Sequence, residues 1–329
     1  MKKLFTFIAF LFLFWALGYV WYSVNLSSVN ADETTHVVKI PKGSSVIFIA
    51  NELEKQNLIR SANVFRFYVA RQGKTAGLQA GSFALNAAMS VPEIVDALSG
   101  GKAGQVVVTI PEGFTVKDID ALLAAKNLIK AGDLIACAQT CDFSSFAFLP
   151  KRKSIEGYLY PETYFVLAEG FEPKFFLERM LGVFRDRVVD GLKQDIRDSK
   201  RSLDDIVIMA SLIEAETRTD AERPVVAGIL WKRLDAKMGL GVDATIRYIL
   251  EKPTAPLTDK DLAIDSYYNL RKYRGLPPSP IGSASLSSLR AALHPEDSPY
   301  FYYLHDAKGV IHYAVTNDEQ NENRARYLH

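Results

Sequence analysis

The stretch ASLIEAETRTDAERP, residues 210–224, sets Glu214 and Glu216 two positions apart at the end of an apolar run. Continued as a helix at 100° per residue, the run brings Glu214 within about 20° of Val207, on the stripe of Leu203 and Ala210. Glu216 falls on the opposite side with Asp205, facing solvent or a polar partner. A carboxyl among apolar neighbours has its charged form disfavoured, stays protonated near neutral pH and can protonate a glycosidic oxygen. The same placement equally fits a buried ion pair with Arg218, Arg223 or Arg233.

Other chemistries lack their residues. There is no H-E-x-x-H, no G-x-S-x-G and no phosphate loop, and the histidines at 36, 294, 305, 312 and 329 have no metal-ligand spacing. Neither a metal nor a cofactor is expected. His294, before Pro295, reads as a helix end. Ser99-Gly100-Gly101-Lys102 fits S-x-x-K but has no S-D-N or K-T-G companion, so it reads as a helix stop.

The elements that must carry the glutamates are legible around them. Ser202 followed by Asp204 and Asp205 starts the glutamate helix. Before it, Phe175, Phe176, Met180, Leu181, Phe184 and Val188 are spaced for one buried face of a helical tract from Pro173 to about Asp198. Tyr158, Tyr160 and Pro161 predict an aromatic-rich loop or edge strand, and Tyr300–Tyr303 a buried strand in a C-terminal hairpin with VIHYAV. Further upstream, IPKGSSVIFIANELEKQNLI (40–59) aligns without gaps on IPEGFTVKDIDALLAAKNLI (110–129), with nine identities in twenty positions at an offset of 70 residues. Each copy reads as a strand end, a Pro-x-Gly turn, a Ser45 or Thr115 cap and a short amphipathic helix. Between them, 78–101 reads as a strand, a turn and a helix capped by Ser90.

Met1-Lys2-Lys3 precedes an uncharged, mostly apolar stretch from Leu4 to Val24 with Trp15, Tyr19, Trp21 and Tyr22 in its later half. Its 21 residues match a bilayer core of roughly 30 Å, and the lysines keep the N-terminus in the cytoplasm. A cleaved signal peptide is the competing reading, with Val29-Asn30-Ala31 as the cleavage site; the apolar segment is long for one. Cys137 and Cys141, spaced C-x3-C, read equally as a local disulfide or two free thiols. The 39 basic and 38 acidic residues balance without long runs, which argues against nucleic acid as a partner.

In chain order, IPEGFTV, EGYLYPETY, ASLIEAETRTDAERPVVAGILWKRL, LGVDATIRYIL, YYNLRKYRGLPPSPIGSASLSSLRAALHP and HYAVTNDEQN resemble the successive motifs of the MltG (YceG-like) endolytic murein transglycosylases. The resemblance covers essentially the whole chain beyond the apolar segment. It implies cleavage of peptidoglycan glycan strands in the bacterial periplasm, with Glu214, first of the E-x-E-T motif, as the catalytic acid. It also implies that Asp243, Thr245, Asn269 and the turn Gly275, Leu276, Pro277, Pro278 bind substrate, that Glu216, Glu222 and Arg223 support the glutamate helix, and that penicillin-binding proteins are partners. The chain departs from the family at Leu270, Arg271, Ser279 and Gln320, where Thr, Tyr, Gly and His are usual, which affects the shape of the groove. Lys232, where Asn is frequent, reads as peripheral.

The expected fold is α+β: a cytoplasmic tail (1–3), a transmembrane helix (4–24), a linker (25–35), a small LysM-like βα repeat domain (36–153) and a mixed α+β catalytic domain (154–329). One carboxylate suffices if the sugar's own six-position hydroxyl closes an anhydro ring, because an intramolecular nucleophile needs no second acid. The resemblance therefore implies a single-pass inner-membrane lytic transglycosylase giving 1,6-anhydro ends. A non-catalytic glycan-binding scaffold for wall synthases, with Glu214 in a structural ion pair, is the alternative.

Overall fold

The computed structural model describes residues 2–32, 34, 36–100, 105–151, 154–168 and 170–328, so Gly101 and Lys102 of the S-x-x-K string lie outside the described residues. The chain divides into two compact units, Met1–Val108 with Thr163–Phe171, and Thr109–Glu162 with Glu172–His329.

The first unit holds helix α1 (Lys2–Leu26), strand β1 (His36–Ile40), helices α2 (Val46–Lys55) and α3 (Ala62–Arg71), strand β2 (Gly81–Leu85), helix α4 (Val91–Ser99), and strands β3 (Gln105–Thr109) and β4 (Thr163–Leu167). Strands β1 and β2 pair antiparallel, from His36 opposite Leu85 to Ile40 opposite Gly81. Alternation along β1 turns Val38 and Ile40 inward against Ile49 and Leu53 of α2, Phe65 of α3 and Ile94 and Leu98 of α4. Strands β3 and β4 form a second two-stranded sheet. For the expected anchor, the backbone of 2–26 is one helix, while the side chains of residues 1–9, 11–13 and 16 lie outside the described ones. Among the described residues, no helix is long and apolar enough to cross a membrane.

The second unit is mostly helical: α5 (Val116–Ala125), α6 (Asp133–Thr140), α7 (Pro173–Phe184), α8 (Lys193–Asp198), α9 (Leu203–Glu216), α10 (Arg223–Asp235), α11 (Ala244–Leu250), α12 (Asp259–Leu262) and α13 (Leu286–Leu293), then hairpin β5 (Tyr302–His305) with β6 (Ile311–Ala314), and α14 (Asn317–Tyr327). The tract expected from 173 to 198 is not one regular helix, because a wider π turn at Arg185–Asp190 separates α7 from α8. A disulfide joins Cys137 to Cys141 at the end of α6.

Both repeat copies take the local form their residues dictate. Gly43 and Gly113 have φ of 84° and 78°, which favours glycine in the turn. The Ser45 and Thr115 hydroxyls accept the N–H of Phe48 and of Asp118. Asn57 and Asn127 then stop the helices at φ of 55° and 54°, a left-handed conformation that asparagine tolerates better than most residues. The copies nevertheless belong to different units. The first turn closes on itself through Ser44 N–H to Pro41 O at 3.2 Å. The second is held from outside, with Gly113 N–H donating to Ser283 O at 2.6 Å and Ser283 N–H to Phe114 O at 2.8 Å. The first copy lies in the unit of Met1–Val108 and Thr163–Phe171, and the second copy shares the other unit with Glu214.

Helix α9 packs against α10 and α13 at the centre of this unit. Every residue from Ile206 to Ile213 is buried, so α9 is a core helix on all sides and not a surface helix with one apolar stripe.

Candidate active site

Glu214 and Glu216 leave the last turn of α9, where the buried run ends. Glu214 does not meet the apolar surround that its helical stripe predicted. Its Oε1 accepts from Arg223 Nη2 at 3.1 Å. Its Oε2 accepts from the Ser285 N–H at 2.9 Å and the Ser285 hydroxyl at 2.5 Å. Ser285 also caps α13, accepting the Ser288 N–H at 3.1 Å, so Glu214 lies at a helix N-terminus where donors and dipole suit a negative charge. The side chains of both Glu214 and Arg223 are only 11% exposed. Arg223 in turn donates from Nε to Ser288 Oγ at 2.9 Å and pairs with Asp220. Of the three arginines considered as ion partners for Glu214, Arg223 is the one in contact.

The desolvated carboxyl of the pair is Glu216, which meets a polar partner and not solvent, the two alternatives its side of the helix left open. Burial pushes it up to about 7, against the Tyr303 hydroxyl that donates to Oε2 at 2.9 Å. Nearby Asp243 raises it further, while Arg233 and Arg247 oppose. Glu222 forms a third station. Burial draws its carboxyl upward, but the Arg218 N–H at 2.8 Å and the His305 ring at 3.1 Å outweigh that and leave it below its usual value. It pins the turn between α9 and α10 to strand β5.

The expected substrate-binding residues separate into two groups. Thr245 and Asn269 are fully buried and hold backbone, so neither lines an open groove in this conformation. The Thr245 hydroxyl donates to Val242 O at 2.8 Å, and the Asn269 amide donates to Leu262 O and Ile264 O, both at 2.9 Å. Asp243 pairs with Arg271, at 2.6 Å from Nε and 2.8 Å from Nη2. Arg271, a departure from the family, is thus the partner of a motif residue. In the turn, Gly275 takes φ of 101°, Pro277 is buried and Pro278 exposed. The other departures also bond internally. Buried Gln320 donates to Tyr303 O at 3.0 Å, behind the tyrosine that touches Glu216. The Ser279 hydroxyl meets the Tyr268 hydroxyl at 2.6 Å. Lys232 donates to Ser298 O and Tyr300 O, tying α10 to the approach of β5.

Two features escaped the sequence reading. Glu112, in the second repeat turn, lies within electrostatic reach of Glu214, and partial burial together with the Glu214 and Asp220 charges raises its carboxyl. The available signal was the repeat itself, which carries Lys42 at the equivalent place. The second feature is a cavity of about 760 Å³ lined by Gly113, Ala215 and Ile281 on the side of this cluster and by Glu156, Arg247 and Tyr248 elsewhere. Glu156, buried, is pushed up to about 7 by desolvation, against the Val116 N–H and the Tyr248 hydroxyl. None of Asp243, Thr245, Asn269 or the 275–278 turn lines this cavity. Among the described residues, no cluster of three or more histidine, cysteine or acidic side chains is placed to hold a metal ion.

Residues 38–326 match the model of the YceG-like family. The chain is 33% identical over 324 residues to the endolytic murein transglycosylase of Bacillus subtilis, covering 92% of this chain and 88% of that one. It is 28% identical over 358 residues to the protein of the same name from Streptococcus pneumoniae, and the match spans 64% of that relative's length. A crystal structure of a YceG-like protein from Listeria monocytogenes superposes with a TM-score of 0.61 at 32% identity, over 88% of this chain and 99% of that one.

Proposed function

The chain belongs to the YceG-like family, and from that membership we propose that it is a lytic transglycosylase that cuts peptidoglycan glycan strands internally. The supporting observation is Glu214, the first glutamate of E-x-E-T, at the end of a buried helix with a donor to each of its oxygens, next to Ala215, which lines the cavity. In the proposed reaction Glu214 carries a proton when the glycan is bound and gives it to the oxygen linking N-acetylmuramic acid to N-acetylglucosamine, and the bond to the muramic C1 breaks. The resulting carboxylate takes the proton of the same sugar's six-position hydroxyl as that oxygen bonds to C1. The products are a shortened strand and a 1,6-anhydro end, and no water is consumed. Proximity replaces activation by a second acid. Arg223 and the Ser285 hydroxyl and N–H are placed to stabilise the carboxylate that the second step uses. Asp243, with Arg271, and the 275–278 turn are proposed to meet the glycan, and Glu216, Glu222 and Arg223 to hold the glutamate helix.

The anchor belongs to the same proposal. The uncharged, mostly apolar sequence from Leu4 to Val24 behind Lys2 and Lys3 supports one membrane passage with the N-terminus cytoplasmic and the rest periplasmic, with penicillin-binding proteins as partners there. The Glu214–Arg223 ion pair also favours the alternative, a glycan-binding scaffold in which the pair is structural. Mass analysis of glycan strands incubated with the full chain in oxygen-18 water separates these readings. Unlabelled anhydro ends are expected. Labelled reducing ends would mean hydrolysis, and uncut strands would leave the scaffold.

A further inference from the structure

The proposed reaction leaves Glu156 without a task. It is 5% exposed, yet it lines the cavity that Ala215, next to Glu214, also lines. Its oxygens accept the Val116 N–H at 3.1 and 3.3 Å and the Tyr248 hydroxyl at a long 3.3 Å. The Gly157 N–H is a further donor to it, and since a carboxyl offers about four acceptor sites, one remains beyond the Val116, Gly157 and Tyr248 bonds. Tyr248 is positioned by its neighbours, with its ring 5.6 Å from that of Tyr268. Tyr268 is in turn held at 2.6 Å by the Ser279 hydroxyl, which donates to Pro280 O at 3.0 Å. Burial raises the Tyr248 phenol well above its usual value, so it remains an O–H donor. The same cavity is lined by apolar Ala215, Ala244 and Ile281, and also by charged Lys117, Asp118, Arg247 and Glu251.

A donor, a carboxyl and apolar walls in one cavity match a secondary amide that ends in a methyl group. We infer that Glu156 and Tyr248 form an acetamido subsite in which the amide of a sugar's N-acetyl group takes the place of the long bond between them: Tyr248 turns its single O–H from Glu156 to the amide carbonyl, Glu156 accepts the amide N–H in exchange, and the methyl packs on Ala215, Ala244 and Ile281. The inference rests on the glycan reading above but not on its chemistry. Both residues would be specificity-determining rather than catalytic, since the subsite holds the acetamido group and takes no part in the proton transfers assigned to Glu214.

The test therefore reads binding and not cleavage. The full chain carrying Glu214→Gln is titrated with a peptide-free N-acetylglucosamine tetramer and with a neutral glucose tetramer of the same linkage, which has hydroxyls where the acetamides were. Two hydrogen bonds and a buried methyl predict a preference of roughly tenfold or more for the acetylated oligomer. Tyr248→Phe and Glu156→Gln should each shrink that preference by about 2- to 10-fold. Gln keeps an acceptor for the Val116 N–H, and melting curves verify that each variant is folded. If the Glu156 variant does not fold, Tyr248→Phe carries the test alone. Equal affinity for the two oligomers, a preference that Tyr248→Phe leaves unchanged, or displacement of the acetylated oligomer by a sugar-free stem peptide overturns the inference. A wild-type chain that binds with this preference but cuts nothing would instead remove the transglycosylase reading and leave the subsite standing.

Discussion

Each oxygen of Glu214 has a donor, and Arg223 retains Asp220 and Ser288 when Glu214 is neutralised. Glu214→Gln keeps the shape and an acceptor oxygen but removes the transferable proton. Cleavage per folded molecule should fall by at least about 10²–10⁴-fold, while the melting temperature moves by only a few degrees. A structural ion pair predicts the opposite: about 3–5 kcal/mol of lost stability with any activity of the folded fraction retained. Activity and melting measured on one preparation decide between them. Glu216→Gln serves as the comparison. It exchanges a desolvated carboxyl for a neutral amide that can still accept from Tyr303, so it should lose less activity than Glu214→Gln under the same assay.

The element that completes the site is the turn at 281–285, joined to the second repeat turn. A Cβ on Gly282 would lie 2.4 Å from Gly113 O, in a contact where backbone and not a flexible side chain must yield. Gly282→Ala should therefore separate the strand-like pairing of Gly113 and Phe114 with Ser283, displacing both Ser285 from Glu214 and Glu112 from the cluster. The expected result is a loss of about 1–3 kcal/mol in stability and at least a tenfold fall in activity. Urea melts and strand-cleavage rates check it, and a variant with wild-type values in both would show that the turn does not hold the site. Helix starts were legible in sequence because capping is a local exchange: Ser45, Thr115 and Ser202 accept N–H groups three residues ahead. The docking of one turn on another was not, since nothing local marks which buried loop a Pro-x-Gly turn will meet.

At the scale of the molecule, two buried carboxyls make stability depend on pH. Glu156 and Glu216 titrate at about 7 when folded, against about 4.5 when unfolded. Between those values the folded chain binds more protons than the unfolded one, so their contribution is fully present below about pH 4.5 and is lost as pH rises through 7. The loss is up to about 3 kcal/mol per group. The urea midpoint should decline between pH 5 and 8, and Glu216→Gln should remove about half of the decline. A midpoint flat across that window contradicts the burial of these groups in their neutral form. The proposed anchor is tested at the same scale by fractionation and N-terminal sequencing. Intact chain in the membrane fraction is expected, and a soluble chain beginning near Asp32 would replace the anchor with a cleaved signal.

What the sequence determined by itself is local. Turns, caps, the duplicated strand-turn-helix pattern, the glutamate helix and the motif order are set by residues within a few positions of one another, where steric limits and hydrogen-bond reach leave few choices. What the tertiary structure decided is the environment of each side chain. Ser285, which grips Glu214, is 71 residues away in the chain, and Tyr303, which touches Glu216, is 87 residues away. Helical periodicity placed Glu214 among apolar residues and Glu216 toward solvent or a polar partner, because it compares positions on one helix only. Helix α9 is buried on every side, so direction around its axis no longer distinguishes inside from outside, and the carboxyl that loses its water is the one whose neighbours from other elements close over it.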